Sequence, residues 1–428
     1  MRPVDPSAVP PEVRDALGAD PTEEQWRAIS MPLEPCVVVA GAGSGKTSVM
    51  AARVVYLALV ALGRVAADRG GVLPGDVLCL TFTVKATENL TLRVRRALAA
   101  VELEEGEEPS VMNYHQFAAE ILERHGLLAG IEPGQRVLSP AQRTELCARV
   151  LDEMTFEHVK AEWQPSLIDS ILLLAEQMAN HRVTPDEVVS FNGSRLEQLA
   201  AYKSDKAYRA ALQRIELAGA VARFQRLKED LGVIDFGDQV TKALQVVERF
   251  PDVGLDYRAR YRAVLLDEYQ DTNVAQADLI AGVFGSGFPV TAVGDPDQNI
   301  YQWRGASLFN LLEFPRRFAK TDGSPADKLP LYTNFRSGAR ILAAADAVIS
   351  PLPAEQRPDP EKRLVAFGPN GDGAVELRRF ADEWSEARWI AERVVELRGK
   401  DPGAHPWSEF AVLCRKSRLF GPIQEAFA

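Results

Sequence analysis

Eight consecutive residues, Ala40-Gly41-Ala42-Gly43-Ser44-Gly45-Lys46-Thr47, have the types and spacing of a phosphate-binding loop. Its glycines let backbone N–H groups turn toward phosphate oxygens; the Lys46 ammonium reaches the β/γ phosphates and the Thr47 hydroxyl ligates Mg²⁺. Ala40 stands where the usual pattern has Gly. Further on, Leu265-Leu266-Asp267-Glu268-Tyr269-Gln270-Asp271 sets two adjacent carboxylates just past an apolar run. Asp267 suits Mg²⁺, and Glu268 suits polarising an attacking water as general base. Alone, such a pair equally fits a helix N-terminus, where acids oppose the dipole. Downstream of a phosphate loop it reads as nucleotide chemistry.

The elements that must position these groups are short apolar runs ending in Gly, Thr or Asp: Cys36–Ala40, Val77–Thr81, Ser110–Tyr114, Ala263–Leu266 and Pro289–Val293. Such strands alternating with helical patterns predict an α/β fold with a parallel, doubly wound sheet whose ligands bind at the strands' carboxyl ends. Between the third and fourth runs, Ile168, Ile171, Leu172, Ala175 and Met178 keep a helical period, which predicts an all-helical insertion over residues 126–230. Asp322-Gly323-Ser324-Pro325-Ala326-Asp327 marks a second break, after which another α/β stretch includes Phe410–Leu413 as a strand.

A chain of 428 residues allows about three domains. With 46% hydrophobic and 25% charged residues it reads as an ordinary globular protein. The net charge of −11 excludes a cationic coat, so any nucleic acid must be held by local patches and grooves. Cys36, Cys79, Cys147 and Cys414 lie too far apart for zinc spacing or a short disulfide framework, which points to the cytoplasm. The longest apolar run, Val54 to Gly63, is about half of the ~20 residues a membrane helix needs. No signal peptide is expected in the proline-rich start. The acids Glu102, Glu104, Glu105, Glu107 and Glu108 read as a solvated loop.

Taken together with Thr22-Glu23-Glu24-Gln25, Thr81-Phe82-Thr83-Val84-Lys85-Ala86, Tyr114-His115-Gln116-Phe117, the stretch from Val293 to Ala306 (VGDPDQNIYQWRGA) and Asn334-Phe335-Arg336-Ser337, these motifs resemble those of the UvrD/Rep/PcrA-like superfamily 1 DNA helicases, in the family's order. The resemblance implies a RecA-like P-loop NTPase domain over residues 1–125 and 231–322, the insertion at 126–230, and a second, partial RecA-like motor domain over 327–428. It implies ATP and Mg²⁺ as cofactors and an ATP-dependent 3′–5′ translocase that unwinds DNA in repair or replication, with single strands and single-strand/duplex junctions as partners. By the same likeness Gln25 reads the adenine edge. Ala42, Gly43, Ser44, Gly45, Lys46 and Thr47 cradle the phosphates, Gln298 senses the γ-phosphate, and Arg336 serves as an arginine finger from the second motor domain. Relatives often carry an Arg after the loop Thr and a Tyr in the later motif; here Ser48 and Phe335 stand there, so adenine packing is expected to be looser, with Phe335 still able to stack.

Nucleic acid held without sequence readout is gripped by aromatic faces and backbone cations. The resemblance assigns Phe82, His115, Tyr301, Trp303 and Arg304 to single-strand contact, against core packing for an isolated Trp and loop capping for His115. Lys85, Arg93, Arg95 and Arg96 against Glu88 leave a local positive patch on one helix, fit either for phosphates or for a solvated face. Asp235-Phe236-Gly237-Asp238 also resembles a family signature, though Asp235 reads first as a helix N-cap. The family's second motor domain extends past the point matching Ala428, so this chain is expected to be a fragment that holds Arg336 poorly. The rivals are an ATP-controlled single-strand binding module without unwinding activity and a P-loop small-molecule kinase, which would not need the Phe82 and Trp303 motifs.

Overall fold

The computed structural model describes residues 9–67, 70–101, 103, 107–159, 164–202, 205–353, 359, 362–401, 403 and 405–428. Helices α1 (Pro11–Leu17) and α2 (Glu23–Ser30) precede strand β1 (Cys36–Ala40), which leads through the glycine-rich loop into α3 (Lys46–Ala61). Strand β2 (Val77–Thr81), α4 (Val84–Leu98), β3 (Ser110–Asn113) and α5 (Tyr114–His125) follow. Next come β4 (Arg136–Val137), α6 (Pro140–Asp152), α7 (Gln164–His181), α8 (Pro185–Gln198), α9 (Lys206–Asp230) and β5 (Val233–Ile234). The chain returns through α10 (Phe236–Arg249), α11 (Asp252–Arg260), β6 (Ala263–Leu266), α12 (Val274–Phe284), β7 (Val290–Gly294) and α13 (Leu308–Arg317). Strand β8 (Asp327–Leu331), β9 (Thr333–Asn334), α14 (Ala339–Ile349) and β10 (Val365–Ala366) complete the first compact unit, which ends at Gly371. A second unit, from Asp372 onward, carries α15 (Glu383–Lys400) and α16 (Phe420–Phe427).

Six strands form a parallel sheet in the order β3-β2-β6-β7-β1-β8. Because successive strand residues point to opposite faces, each central strand feeds two cores. Val37, Val39, Leu78, Leu80, Val264 and Leu266 pack with α5, α10, α12 and α13, among them Phe117, Leu279 and Phe314. Cys36, Val38, Cys79, Ala263 and Leu265 pack with α3 and α4 on the other face. The apolar run beginning at Val54 therefore covers a sheet, each buried Val or Leu contributing about 1.5–3 kcal/mol. Among the described residues no helix is long and apolar enough to cross a membrane. The strand-to-helix turns are short where the next helix is capped at once: Asn113 closes β3 and caps α5 in a reciprocal box with Gln116.

The insertion has its own core, in which Ile168, Ile171, Ala175 and Met178 of α7 meet Val221 and Phe224 of α9. It is not wholly helical. Arg136 and Val137 pair in parallel with Val233 and Ile234, tying its entrance to its exit.

The region expected to be a second motor domain from residue 327 departs from that reading. Asp327–Leu331 joins the first sheet beside β1, register Cys36 with Asp327, so β1 is paired on both sides and Leu329 and Leu331 are buried. An apolar strand edge left bare is unfavourable, and β8 covers it. After it, the described residues of this stretch contain only the two-residue β9–β10 pairing. Phe410–Leu413 forms no ladder, and Leu413 is 95% exposed. Within the second unit, Phe380 packs on Trp389 at 5.5 Å, Arg398 lies over Trp407 at 4.3 Å and Arg418 pairs with Glu383 at 2.6 Å. Of the acidic run, Glu102, Glu104 and Glu105 lie outside the described residues, whereas Glu108 pairs with Arg95 at 2.8 Å.

Candidate nucleotide and single-strand site

The glycine-rich loop turns at Gly43 and Gly45, whose φ values of +69° and +83° lie where side-chain-bearing residues are strained. That turn aims the loop at the start of α3, whose first residues are Lys46 and Thr47, so backbone donors and the positive end of the helix converge. The Ser44 hydroxyl is buried there without a hydrogen-bond partner. A buried orphan hydroxyl just before the N-terminus of α3 fits an anionic ligand such as phosphate.

Lys46 is buried and its Nζ lies 2.8 Å from Glu268 Oε2, which also accepts from Gln270 Nε2 at 2.9 Å. Glu268 adopts φ +46°, ψ 45°, left-handed and rare outside glycine, and this brings its carboxylate back over the loop. Asp267 is buried at the end of β6, and its Oδ1 accepts from the Glu268 N–H at 3.0 Å. Burial first, then the Glu268 charge, pushes its carboxyl up to about 6, with Lys46 opposing. Asp271 is pushed up to about 7 by the same two causes, and its Oδ1 is buried without a partner. Thr47 and Asp267 are the two oxygen donors that fit Mg²⁺, an ion commonly held by one or two side chains plus phosphates.

At the end of β7, Asp295 is buried and organises a polar network. Gln298 Nε2 donates to its Oδ2 at 2.6 Å, and the Lys362 ammonium bonds its Oδ1 while reaching Asp297 Oδ2 at 2.7 Å. Gln270 joins β6 to β7 here, its Oε1 accepting from the Asp295 N–H at 2.9 Å. Lys362 escaped the sequence reading because its partners lie 67 and 65 residues earlier in the chain.

The segment bearing Arg336 lies against the loop. Gly41 N–H donates to the Leu331 carbonyl at 3.0 Å, Phe335 N–H donates to the Gly43 carbonyl at 2.8 Å, and Asn334 Nδ2 donates to the Ala42 carbonyl. The Asn334 Oδ1 accepts from the N–H groups of Arg336 and Ser337 at 2.8 and 2.7 Å. A Cβ at Gly43 would sit 2.7 Å from Arg336 Cβ. Arg336 therefore belongs to the first unit, and its backbone is anchored rather than poorly held. Glu24 Oε2 secures the same segment by accepting from the N–H groups of Tyr332 and Thr333 at 2.9 and 3.1 Å. Phe335 packs on Phe367 at 5.0 Å. Thr22 caps α2 in a box with Gln25, whose Oε1 accepts from the Thr22 N–H at 3.0 Å and whose Nε2 reaches the Ser44 carbonyl at 3.5 Å.

Phe82 follows β2 and its ring lies 5.4 Å from Tyr301, which lies 6.3 Å from Trp303. The Arg304 guanidinium sits 4.6 Å over Trp303 and 5.5 Å over Tyr301. Trp303 is 64% exposed, which excludes core packing. His115 stands elsewhere, edge-on to half-exposed Phe236 at 5.7 Å, and burial lowers its pKa. The α4 patch is partly spent: Lys85 is exposed, but Arg93 donates to Ser48 at 2.5 Å and Arg95 pairs with Glu108. Asp235 is the N-cap of α10, in a box with Asp238, and Lys228 bonds both carboxylates.

Residues 21–319 match the family described as UvrD/REP helicase N-terminal domain. The chain is 28% identical over 416 residues to the ATP-dependent DNA helicase UvrD1 of Mycobacterium leprae, covering 94% of this chain and 48% of the relative. It is 27% identical to the ATP-dependent DNA helicase PcrA of Staphylococcus epidermidis, covering 96% and 50%, and to PcrA of Staphylococcus aureus, covering 94% and 49%. It thus spans about half the length of these relatives. With that match across 21–319, a parallel six-stranded sheet and a lysine-carboxylate pair at its phosphate loop, the chain belongs to the UvrD/REP helicase N-terminal domain family.

Proposed function

We propose that this chain binds Mg²⁺-ATP and single-stranded DNA as part of a 3′–5′ DNA translocase that unwinds duplexes at single-strand junctions in repair or replication. The observation that carries the reading is one continuous loop. It begins at Asp295 and Gln298 on the nucleotide side and ends at half-buried Tyr301 and the exposed Trp303 and Arg304.

Lys46 and Glu268 neutralise each other at 2.8 Å. A triphosphate competes for the ammonium, which leaves Glu268 Oε2 to accept the proton of an attacking water. Thr47 and Asp267 would hold Mg²⁺, which would supply charge neutralisation to the phosphates. Arg336, anchored beside Gly43, adds a second cation, as arginine fingers do in related enzymes. Gln298, bonded to Asp295, serves in this reading as the γ-phosphate sensor, and the loop passes the change to the aromatic pair.

The test is the isosteric Glu268→Gln. ATP binding should persist while hydrolysis falls by about 10²–10⁴, the usual worth of a general base. Parent-rate hydrolysis would remove Glu268 from the chemistry. Single-stranded DNA should raise the parent's turnover; failure to do so removes the motor reading. A strand-displacement assay then separates a motor from an ATP-gated binding module.

A further inference from the structure

The loop from Tyr301 to Gly305 has little packing of its own, since Gln302, Trp303 and Arg304 are all exposed. Its carbonyls are nevertheless taken by a helix from the insertion. Gln177 Nε2 on α7 donates to the Trp303 carbonyl at 2.8 Å, and Asn180 Nδ2 donates to the Arg304 carbonyl at 3.0 Å. Residues three apart lie on one face of a helix, so the two amides grip successive carbonyls from the same side. Asn180 is buried, and its Oδ1 accepts from Asn273 Nδ2 at 2.7 Å. Asn273 in turn caps α12 and bridges to Ala306, just past the loop. The approach depends on Gly305: a Cβ there would sit 2.6 Å from Asn180 Cβ, at φ +83°.

We propose that Gln177 and Asn180 are positioning residues, a clamp through which the helical insertion sets where Trp303 and Arg304 are presented to single-stranded DNA. The inference rests on the assignment of that loop to DNA, and adds two side chains that do not themselves touch the strand.

Asn180→Asp in the full chain tests this. The carboxylate keeps the volume and the acceptor for Asn273 but has no proton for the Arg304 carbonyl. Affinity for a fluorescein-labelled oligothymidylate should fall roughly three- to tenfold, the worth of a lost hydrogen bond, with little change in affinity for a fluorescent ATP analogue. Trp303 emission, isolated as the difference from Trp303→Phe, should become more accessible to acrylamide. Gln177→Ala should reproduce both changes more weakly. Parent DNA affinity with parent Trp303 emission overturns the clamp. So does an equal loss of DNA and ATP affinity, which marks a general fold defect. If Trp303→Ala leaves oligothymidylate binding unchanged, the underlying assignment of the loop fails first, and the clamp with it.

Discussion

The two ends of the loop that follows β7 are built differently. At the nucleotide end, Asp295 and Lys362 are both buried and share a network with Gln270, Asp297 and Gln298, so each polar atom has a fixed direction. At the other end Trp303 is 64% exposed, and its neighbours hold it through stacking and backbone carbonyls. The difference fits what each end is proposed to meet. Phosphate chemistry rewards donors and acceptors placed in advance in a dry site. Bases that pass without sequence readout need only an accessible face.

Breaking the buried end should cost most. Lys362→Met keeps the length of the side chain but leaves Asp295, 1% exposed, without its cation. Removing one partner of a buried pair typically costs about 3–5 kcal/mol, far more than breaking an exposed, solvent-screened pair such as Arg393–Glu396. Urea unfolding should show the first loss and not the second. Equal midpoints for the two variants would show that the nucleotide end is no more organised than the surface.

The exposed end predicts a smaller effect of another kind. Trp303→Ala should leave the unfolding midpoint near that of the parent, because little of the ring is buried. Single-strand affinity should drop by roughly 1–3 kcal/mol, the value of one stacked base. Its dependence on salt should persist through the remaining backbone contacts. A loss of stability without a loss of DNA affinity would reverse the roles of the two ends.

What was legible in the sequence follows the same division. The phosphate loop, Asp267 and Glu268 are contiguous because backbone and side chains must converge within a few ångströms, and the central strands are legible because burial on both faces makes them continuously apolar. Asp235 was legible as a cap because capping is local. Lys362 was not: a lysine among Pro, Asp and Arg looks solvated until the fold brings Asp295 to it. Arg93 fitted either a phosphate contact or a solvated face, yet it turns to Ser48 on α3, a pairing 45 residues apart. Phe410–Leu413 shows the converse: a strand-like composition forms no ladder without a pairing neighbour. Asp327–Leu331, with fewer apolar residues, becomes a strand because β1 offers one.

The last expected effect concerns protons at the buried end. Asp271 is held at about 7, chiefly by burial and then by the Glu268 charge, and one of its oxygens has no partner. An unfolded Asp titrates near ~3.9. Between about pH 4 and pH 7 the folded chain therefore binds more protons at this group than the unfolded chain does. By linkage its contribution favours folding at the acid end of that window and is lost as pH rises through the folded pKa. Asp271→Asn removes the titration while keeping the shape. The difference in melting temperature, variant minus parent, should increase from pH 4 to pH 7 and level off above, whatever other carboxylates do, because they are common to both chains. A difference that is flat with pH would mean that Asp271 titrates alike in both states and that the network at this end excludes less water than its burial implies.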